Sequence, residues 1–175
     1  MLITISGPIG SGKSTVGRIV AHELGFEFFS GGQIFRAAAA ANGMTVEEFN
    51  LYSENHPEVD IHQDRMLKDY MLSHDRVVVE SRLAGWICAS NGIQSFRVYL
   101  DAPLKVRVRR VMEREGSTGG LEEMIKLREA SEMKRYRHLY GVDYTDPSIY
   151  NLVIDTSDLN PREVADRIVS EFKKH

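Results

Sequence analysis

The segment GPIGSGKS, residues 7–14, joins an apolar run, Leu2–Ser6, to a segment whose apolar side chains recur at helical spacing. It matches the pattern G-x-x-x-x-G-K-[ST] at every position. Glycines let successive backbone N–H groups turn towards one anion, and the start of the following helix adds partial positive charge. These residues are therefore predicted to bind nucleotide phosphates together with Thr15: Gly7, Pro8, Ile9, Gly10, Ser11, Gly12, Lys13 and Ser14.

Two side chains of this phosphate loop carry specific chemistry. Lys13 is expected to reach the β- and γ-phosphates of ATP, and the Ser14 hydroxyl is expected to hold Mg²⁺. ATP and Mg²⁺ are thus the predicted cofactors. The alternative is a chance glycine-rich turn, but such a turn requires neither the strand before it nor the amphipathic helix after it.

Composition narrows the class of protein. A chain of 175 residues fits one domain, and its formal net charge of −3 argues against a nucleic acid polymer or a membrane surface as partner. Cys88 is the single cysteine, so the chain has neither an internal disulfide nor a cysteine cluster for zinc. No leader-like start and no apolar run of about 18 residues is present. We therefore expect a cytoplasmic monomer.

Five short segments are rich in β-branched or aromatic residues: Leu2–Ser6, residues 26–29, Val77–Glu80, residues 96–100 and Leu152–Asp155. Helical patterns lie between them, which predicts a doubly wound α/β fold with a parallel sheet covered on both faces. Two connections, about residues 31–75 and 104–150, are longer than a crossover needs. They are predicted to be insertions on a core formed by residues 1–30, 76–103 and 151–175.

Polar residues follow two of the predicted strands, where open α/β sheets bind ligands. Ser30 ends the second strand, and Arg36, about two turns later, has the planar fork suited to phosphate. Glu80 ends the third strand, where it can order Mg²⁺-bound water, and Arg82 can face an acceptor phosphate. The alternatives are a solvated Arg36 and a surface ion pair between Glu80 and Arg82.

Charged residues in the second insertion repeat at helical spacing, which places each group on one helix face. The first group is Arg107, Arg110 and Arg114, and the second is Arg128, Glu132 and Arg135. Glycines at 116, 119 and 120 lie between the groups and suit a hinged flap that closes over a polyphosphate. The alternative is a pair of solvated amphipathic helices.

Four motifs in fixed order reveal a family resemblance across most of the chain after the phosphate loop. They are S-x-G-x-x-x-R at 30–36, E-x-R-L-A-G-W at 80–86, R-x-x-R at 107–110 and R-E-x-x-E-x-x-R at 128–135. The sequence resembles the nucleoside monophosphate kinases, and within them the archaeal type of cytidylate kinase. It departs from bacterial relatives at Ser131 and Glu132, where they usually carry Arg and Asp.

The resemblance implies a P-loop NTPase fold with strand order 2-3-1-4-5, a monophosphate-binding insertion after strand two and a lid after strand four. It implies that four arginines contact transferring or acceptor phosphates: Arg36, Arg82, Arg128 and Arg135. Glu132 would orient the lid arginines, and Arg110 would lie near the ATP adenine or its phosphates. Asp64, with His62 and Arg65, is a candidate contact to the acceptor base.

The implied reaction is transfer of the ATP γ-phosphoryl group to CMP or dCMP, giving ADP and CDP. The acceptor oxygen is already anionic, so positioning and charge neutralisation suffice without a general base. Arg135→Ala is expected to lower turnover by about 10³-fold with the fold intact. The alternatives are a kinase for AMP, UMP or a small metabolite such as shikimate, and a regulatory ATPase that works as a switch.

Overall fold

One parallel sheet forms the centre of the protein. The computed structural model describes residues 1–116 and 119–175. Its strands are β1 Leu2–Ser6, β2 Glu27–Ser30, β3 Val77–Glu80, β4 Ser95–Asp101 and β5 Leu152–Asp155. They lie in the order β2-β3-β1-β4-β5, and every pairing is parallel. The predicted fold class and strand order are confirmed.

Helices fill the connections between the strands. They are α1 Lys13–Leu24, α2 Gly31–Ala41, α3 Val46–Glu54, α4 Pro57–Ser73, α5 Ala84–Ser90, α6 Leu104–Glu115, α7 Leu121–Tyr140 and α8 Pro161–Phe172, with a 3-10 turn at Pro147–Ile149. Helices α2 to α4 occupy the first long connection, and α6 and α7 lie in the second. None of the helices in the described part of the chain is both long and apolar enough to cross a bilayer.

Both faces of the sheet are buried, which explains why the strands are almost continuously apolar. Successive strand residues point to opposite faces. Ile3, Ile5 and Val78 therefore pack in one core with α1 and α8. Val77 and Val79 pack in a second core with residues of α4 and α5. Because both faces of the sheet are covered, a ligand can bind at the carboxyl edge of the sheet, where the phosphate loop and Glu80 lie.

Helix ends are set by local signals that the sequence displays. Gly25 ends α1 at φ 63°, a conformation that favours glycine. The Asn160 side chain accepts a hydrogen bond from the Glu163 N–H, and the Glu163 carboxylate accepts one from the Asn160 N–H. With Pro161 in the first helical position, this capping box fixes the start of α8.

The boundaries of β2 differ by one residue from the predicted segment 26–29. The Phe26 N–H donates to the Ala21 carbonyl at 2.8 Å, so it closes the end of α1 instead of joining the sheet. At the other end, Ser30 pairs with Glu80 in the ladder. This register brings Ser30 beside the Glu80 carboxylate, which matters for the site described below.

Gly7→Ala is expected to lower the free energy of unfolding by about 3 kcal/mol or more. Gly7 has φ 149°, and an added Cβ would lie 2.1 Å from the Leu100 carbonyl oxygen. Urea denaturation measures the loss. Gly43→Ala is the control, because Gly43 has φ 66° but no described atom lies within 4 Å of its added Cβ. Gly43→Ala tests backbone strain without a clash and is expected to lower the free energy of unfolding by about 1 kcal/mol. Equal losses in the two variants would contradict the clash at Gly7.

Candidate active site

The phosphate loop has the strand–loop–helix setting that the sequence predicts. The chain leaves β1 at Ser6 and passes Gly10 and Gly12 at φ 80° and 94°, conformations that suit glycine. Helix α1 then begins at Lys13. The Lys13 side chain is buried and folds back over the loop, where its Nζ donates to the Pro8 carbonyl at 2.9 Å.

Lys13 lies in surroundings that disfavour its charge. Burial lowers the pKa of Lys13 to about 7, and the nearby Arg82 cation acts in the same direction. The carboxylates of Glu80 and Glu132 oppose this effect without cancelling it. A phosphate placed at this amine would favour the charged form again.

Glu80 draws two hydroxyl groups together at the end of β3. Its Oε2 accepts hydrogen bonds from Ser14 Oγ at 3.2 Å and from Ser30 Oγ at 2.5 Å. Burial alone would raise the pKa of Glu80, but the charge of Lys13 and these hydroxyls lower it below its usual value. An ionised carboxylate beside a serine hydroxyl supplies the hard oxygen atoms that Mg²⁺ prefers.

Arg82 and Glu132 join the end of β3 to α7. Arg82 Nε donates to Glu132 Oε2 at 2.8 Å, and the side chains are 16% and 9% exposed. Burial would lower the pKa of Arg82, but the Glu132 carboxylate, together with smaller contributions from two tyrosines and Glu80, raises it above its usual value. Arg82 thus pairs with Glu132 and not with Glu80, whereas the orienting of the lid arginines by Glu132 stays a prediction.

Arg128 has a donor that the described protein does not use. Its Nε is buried and has no hydrogen-bond partner among the residues that the structure describes. Its Nη1 lies 3.8 Å from Glu47 Oε1. Burial lowers the pKa of Arg128, and the Arg82 cation adds to that effect while Glu132 opposes it. An anion bound beside Arg128 would satisfy the free donor and stabilise the charge.

Arg135 is held by the first insertion, a contact that sequence reasoning missed. Arg135 Nε donates to Asp60 Oδ2 at 2.7 Å, and both side chains are almost fully buried. Arg135 Nη1 donates to Asn50 Oδ1 at 3.0 Å and to Ser131 Oγ at 2.8 Å. Asp60 reads in the sequence only as a favourable charge in the first turn of α4. Direct contact of Arg135 with a phosphate stays a prediction.

These side chains meet in one cleft of about 410 Å³ at the carboxyl edge of the sheet. It is bounded by the phosphate loop, α2, the start of α3, α4, the end of β3, the end of α6 and α7. The predicted residues that line it are Ile9, Gly10, Lys13, Ser14, Arg36, Asp64, Glu80, Arg82, Arg114, Arg128, Glu132 and Arg135. Ser30 lies beneath them as the partner of Glu80. The structure thus brings most of the predicted residues together.

Asp64 lies at the end of the cleft formed by the first insertion. Its Oδ2 accepts a hydrogen bond from the Tyr140 hydroxyl at 2.7 Å. Burial raises the pKa of Asp64 to about 7, with a further contribution from Asp60, although the Tyr140 bond opposes the shift. Asp64 is thus a hydrogen-bonding group whose protonation state changes near neutral pH.

Arg110 lies in a second cavity of about 490 Å³ on the other side of the phosphate loop. Its Nη1 donates to Thr156 Oγ1 at 2.9 Å and its Nη2 to the Thr156 carbonyl at 2.6 Å. Thr15 and Thr156 line this cavity, and Gly10 lines both cavities. Thr156 was missed, although its place directly after β5 at the carboxyl edge of the sheet was a usable signal.

Arg107 does not act as its spacing suggests. The prediction that Arg107 faces a polyphosphate with Arg110 and Arg114 is wrong. Its buried guanidinium donates to the carbonyls of Ala102 at 2.9 Å and Ile9 at 3.0 Å. The first turn of α6 lies against the phosphate loop, so Arg107 reaches the outer side of that loop.

A family model and individual relatives of this chain both point to the same family. A model of the cytidylate kinase-like family matches residues 2–158. A cytidylate kinase of Thermoplasma volcanium is 48% identical over 168 residues, which cover 94% of this chain and 87% of that protein. One from Thermoplasma acidophilum is 44% identical over 166 residues, covering 94% and 88%. A solved shikimate kinase from Acinetobacter baumannii, in complex with shikimate, has a TM-score of 0.64 at 19% identity and covers 99% and 93%. This last likeness shows the fold alone.

Proposed function

The chain belongs to the cytidylate kinase-like family, and we propose that it transfers the γ-phosphoryl group of ATP to CMP, giving ADP and CDP. One observation carries the proposal beyond family membership. The phosphate loop and arginines from α2, from the turn after β3 and from α7 line a single cleft, with Asp64 at its far end. A loop for one phosphate chain and several cations for a second phosphate are what transfer between two nucleotides needs.

We place the donor ATP along the phosphate loop. Loop N–H groups and Lys13 hold its phosphates, and the second cavity, beside Arg110 and Thr156, receives its adenine. Ser14 Oγ and the Glu80 carboxylate fit the oxygen ligands of Mg²⁺, directly or through water. Held there, Mg²⁺ would supply positive charge that neutralises the phosphate oxygens.

We place the acceptor CMP between the first insertion, residues 31–75, and α7. Arg36, Arg82 and Arg128 surround its phosphate. The clearest support is Arg128 Nε, which no described part of the chain pairs. We propose that Asp64, which lines the same cleft, accepts a hydrogen bond from the cytosine amino group. dCMP is included as an acceptor because of the family resemblance. All these groups come from one chain, so we propose that a monomer is sufficient.

The chemistry requires alignment more than proton transfer. The CMP phosphate oxygen is already anionic, so it attacks the γ-phosphorus without a general base. Lys13 and the arginines stabilise charge on the transferring group. We propose that residues 31–75 and 104–150 act as the two flaps and that their approach excludes water, which would otherwise accept the phosphoryl group.

A coupled assay of ADP release with CMP, dCMP, UMP, AMP, shikimate or no acceptor tests the function. We expect CMP to give the highest kcat/KM, at least about tenfold above UMP and AMP, because misplaced polar groups on the wrong base leave buried partners unpaired. Equal rates with and without acceptor would contradict the proposal and favour a switch ATPase. A higher rate with AMP or shikimate would favour another acceptor.

ATP binding is expected to take up protons. In the protein without ATP, the pKa of Lys13 is about 7. Bound phosphates raise this pKa, so at about pH 8 ATP binding takes up close to one proton. Affinity should therefore fall as the pH rises above 7. Calorimetry in buffers of different ionisation enthalpy measures this uptake, and Lys13→Met should abolish it. No difference between the two proteins would contradict the assignment.

A further inference from the structure

Side-chain donors hold the backbone carbonyl groups of the phosphate loop. Four consecutive carbonyl groups, those of residues 8–11, each accept a bond from a different side chain. From the first carbonyl to the last, the donors are Lys13, Arg107, Arg110 and Thr156, at 2.9, 3.0, 3.3 and 3.3 Å. The single hydroxyl proton of Thr156 is shared with the Asp101 carbonyl at 3.1 Å. The loop conformation therefore depends on α6 and on the turn after β5 as well as on its own glycines.

These bonds bear on phosphate binding through the geometry of the peptide unit. The chain has no cis peptide bond in its described part. In a trans peptide the C=O and the next N–H point in opposite directions, so a carbonyl held outward directs its N–H inward. A donor on the carbonyl also polarises the peptide, which strengthens the N–H as a donor to an anion.

Arg107 differs from the other three donors. Lys13 and Arg110 line the cavities, whereas Arg107 is buried behind the loop and outside both cavity linings. Its Nη1 donates to the Ile9 carbonyl and also to the Glu129 carboxylate on α7. The contact is close, since a Cβ added at Gly10 would lie 2.7 Å from the Arg107 carbonyl oxygen. Arg107 is therefore a bridge between the loop and α7.

We propose that Arg107 is a positioning residue that fixes the peptide between Ile9 and Gly10 for binding a polyphosphate, and that Glu129 makes this orientation depend on α7. Arg107 itself touches no phosphate. The inference rests on the proposed function only in taking a polyphosphate as the ligand of the loop. It adds a physical link between the second insertion and the donor site, through Glu129, Arg107 and Ile9.

The test compares R107M, R107K and E129Q with R109M by calorimetric titration with inorganic tripolyphosphate and, separately, with CMP. Arg109 is an exposed arginine on the same helix, so R109M removes the same charge without touching the loop. R107M is expected to weaken tripolyphosphate binding by about tenfold, the effect of losing a bond from a charged donor. R109M should change it by less than about twofold. CMP affinity should be unaffected in all four variants.

The outcomes separate positioning from a general structural role. A folded R107M that binds tripolyphosphate as R109M does would overturn the proposal, as would an equal loss of CMP and tripolyphosphate affinity.

If R107M does not fold, the tripolyphosphate affinity of R107K tests the proposal instead. Lysine keeps the charge but cannot serve Ala102, Ile9 and Glu129 with a planar fork, so weaker tripolyphosphate binding supports the proposal and wild-type affinity overturns it. Wild-type affinity in E129Q would remove the link to α7. If the wild-type protein does not bind CMP, the proposed function is refuted, but the comparison of tripolyphosphate affinities stays valid.

Discussion

Lys13→Met is expected to lower kcat for phosphoryl transfer from ATP to CMP by about 10³-fold, the loss that follows removal of a preorganised charge from the reacting group. The fold should survive. Burial disfavours the Lys13 charge, as its lowered pKa shows, and methionine fills similar space without that penalty. Initial rates with saturating ATP and CMP measure the effect, and urea denaturation measures stability.

Lys105→Met provides the matched control for Lys13→Met. Lys105 is exposed on α6 and away from the cleft lining, so its loss should leave kcat within about twofold. A Lys13→Met protein that keeps more than a tenth of the wild-type kcat would contradict the role of Lys13. A large loss in Lys105→Met would show that net charge, and not position, controls the rate.

Arg135→Ala is expected to lower turnover by about 10³-fold and also to destabilise the fold by about 3 kcal/mol. The second effect corrects the expectation, drawn from the sequence, that the fold stays intact. Arg135 is the buried partner of Asp60, and its removal leaves that carboxylate without a counter-charge. Thermal unfolding and initial rates measure the two effects independently.

A double variant separates catalysis from stability. Asp60→Asn combined with Arg135→Met removes both charges, which should recover most of the lost stability because no buried charge is left unpaired. If Arg135 contacts a phosphate, kcat stays low. Recovery of kcat together with stability would show that Arg135 only joins α7 to α3 and α4. Asp60→Asn alone shows what the loss of the carboxylate contributes.

Lys134→Ala is the control for this series. Lys134 lies next to Arg135 on α7 and pairs with Glu54 of α3, but its side chain is 71% exposed. Its removal should cost less than about 1 kcal/mol, as exposed ion pairs usually do. The contrast between neighbouring pairs tests whether burial, and not pairing as such, makes Arg135 important.

Most of the fold was predictable because its signals are local. The phosphate loop, the apolar strands and the caps at Gly25 and Asn160 each depend on a few adjacent residues. Ser30 and Glu80 were also identified, because parallel strands end at one edge of the sheet and their last residues become neighbours. Their position follows from the fold class without knowledge of helix packing.

The sequence by itself thus determined the sheet, the phosphate loop and the groups at the strand ends. Only the tertiary structure decided how the arginines are used. Arg107 turns to the Ile9 carbonyl, and Arg135 is bound to Asp60, 75 residues away in the chain. Arg128 Nε has no partner within residues 1–116 and 119–175. Helical spacing defines which face a side chain occupies, but packing between helices defines what that face meets. For a long, fully charged side chain, the partner it meets decides between structural and catalytic use.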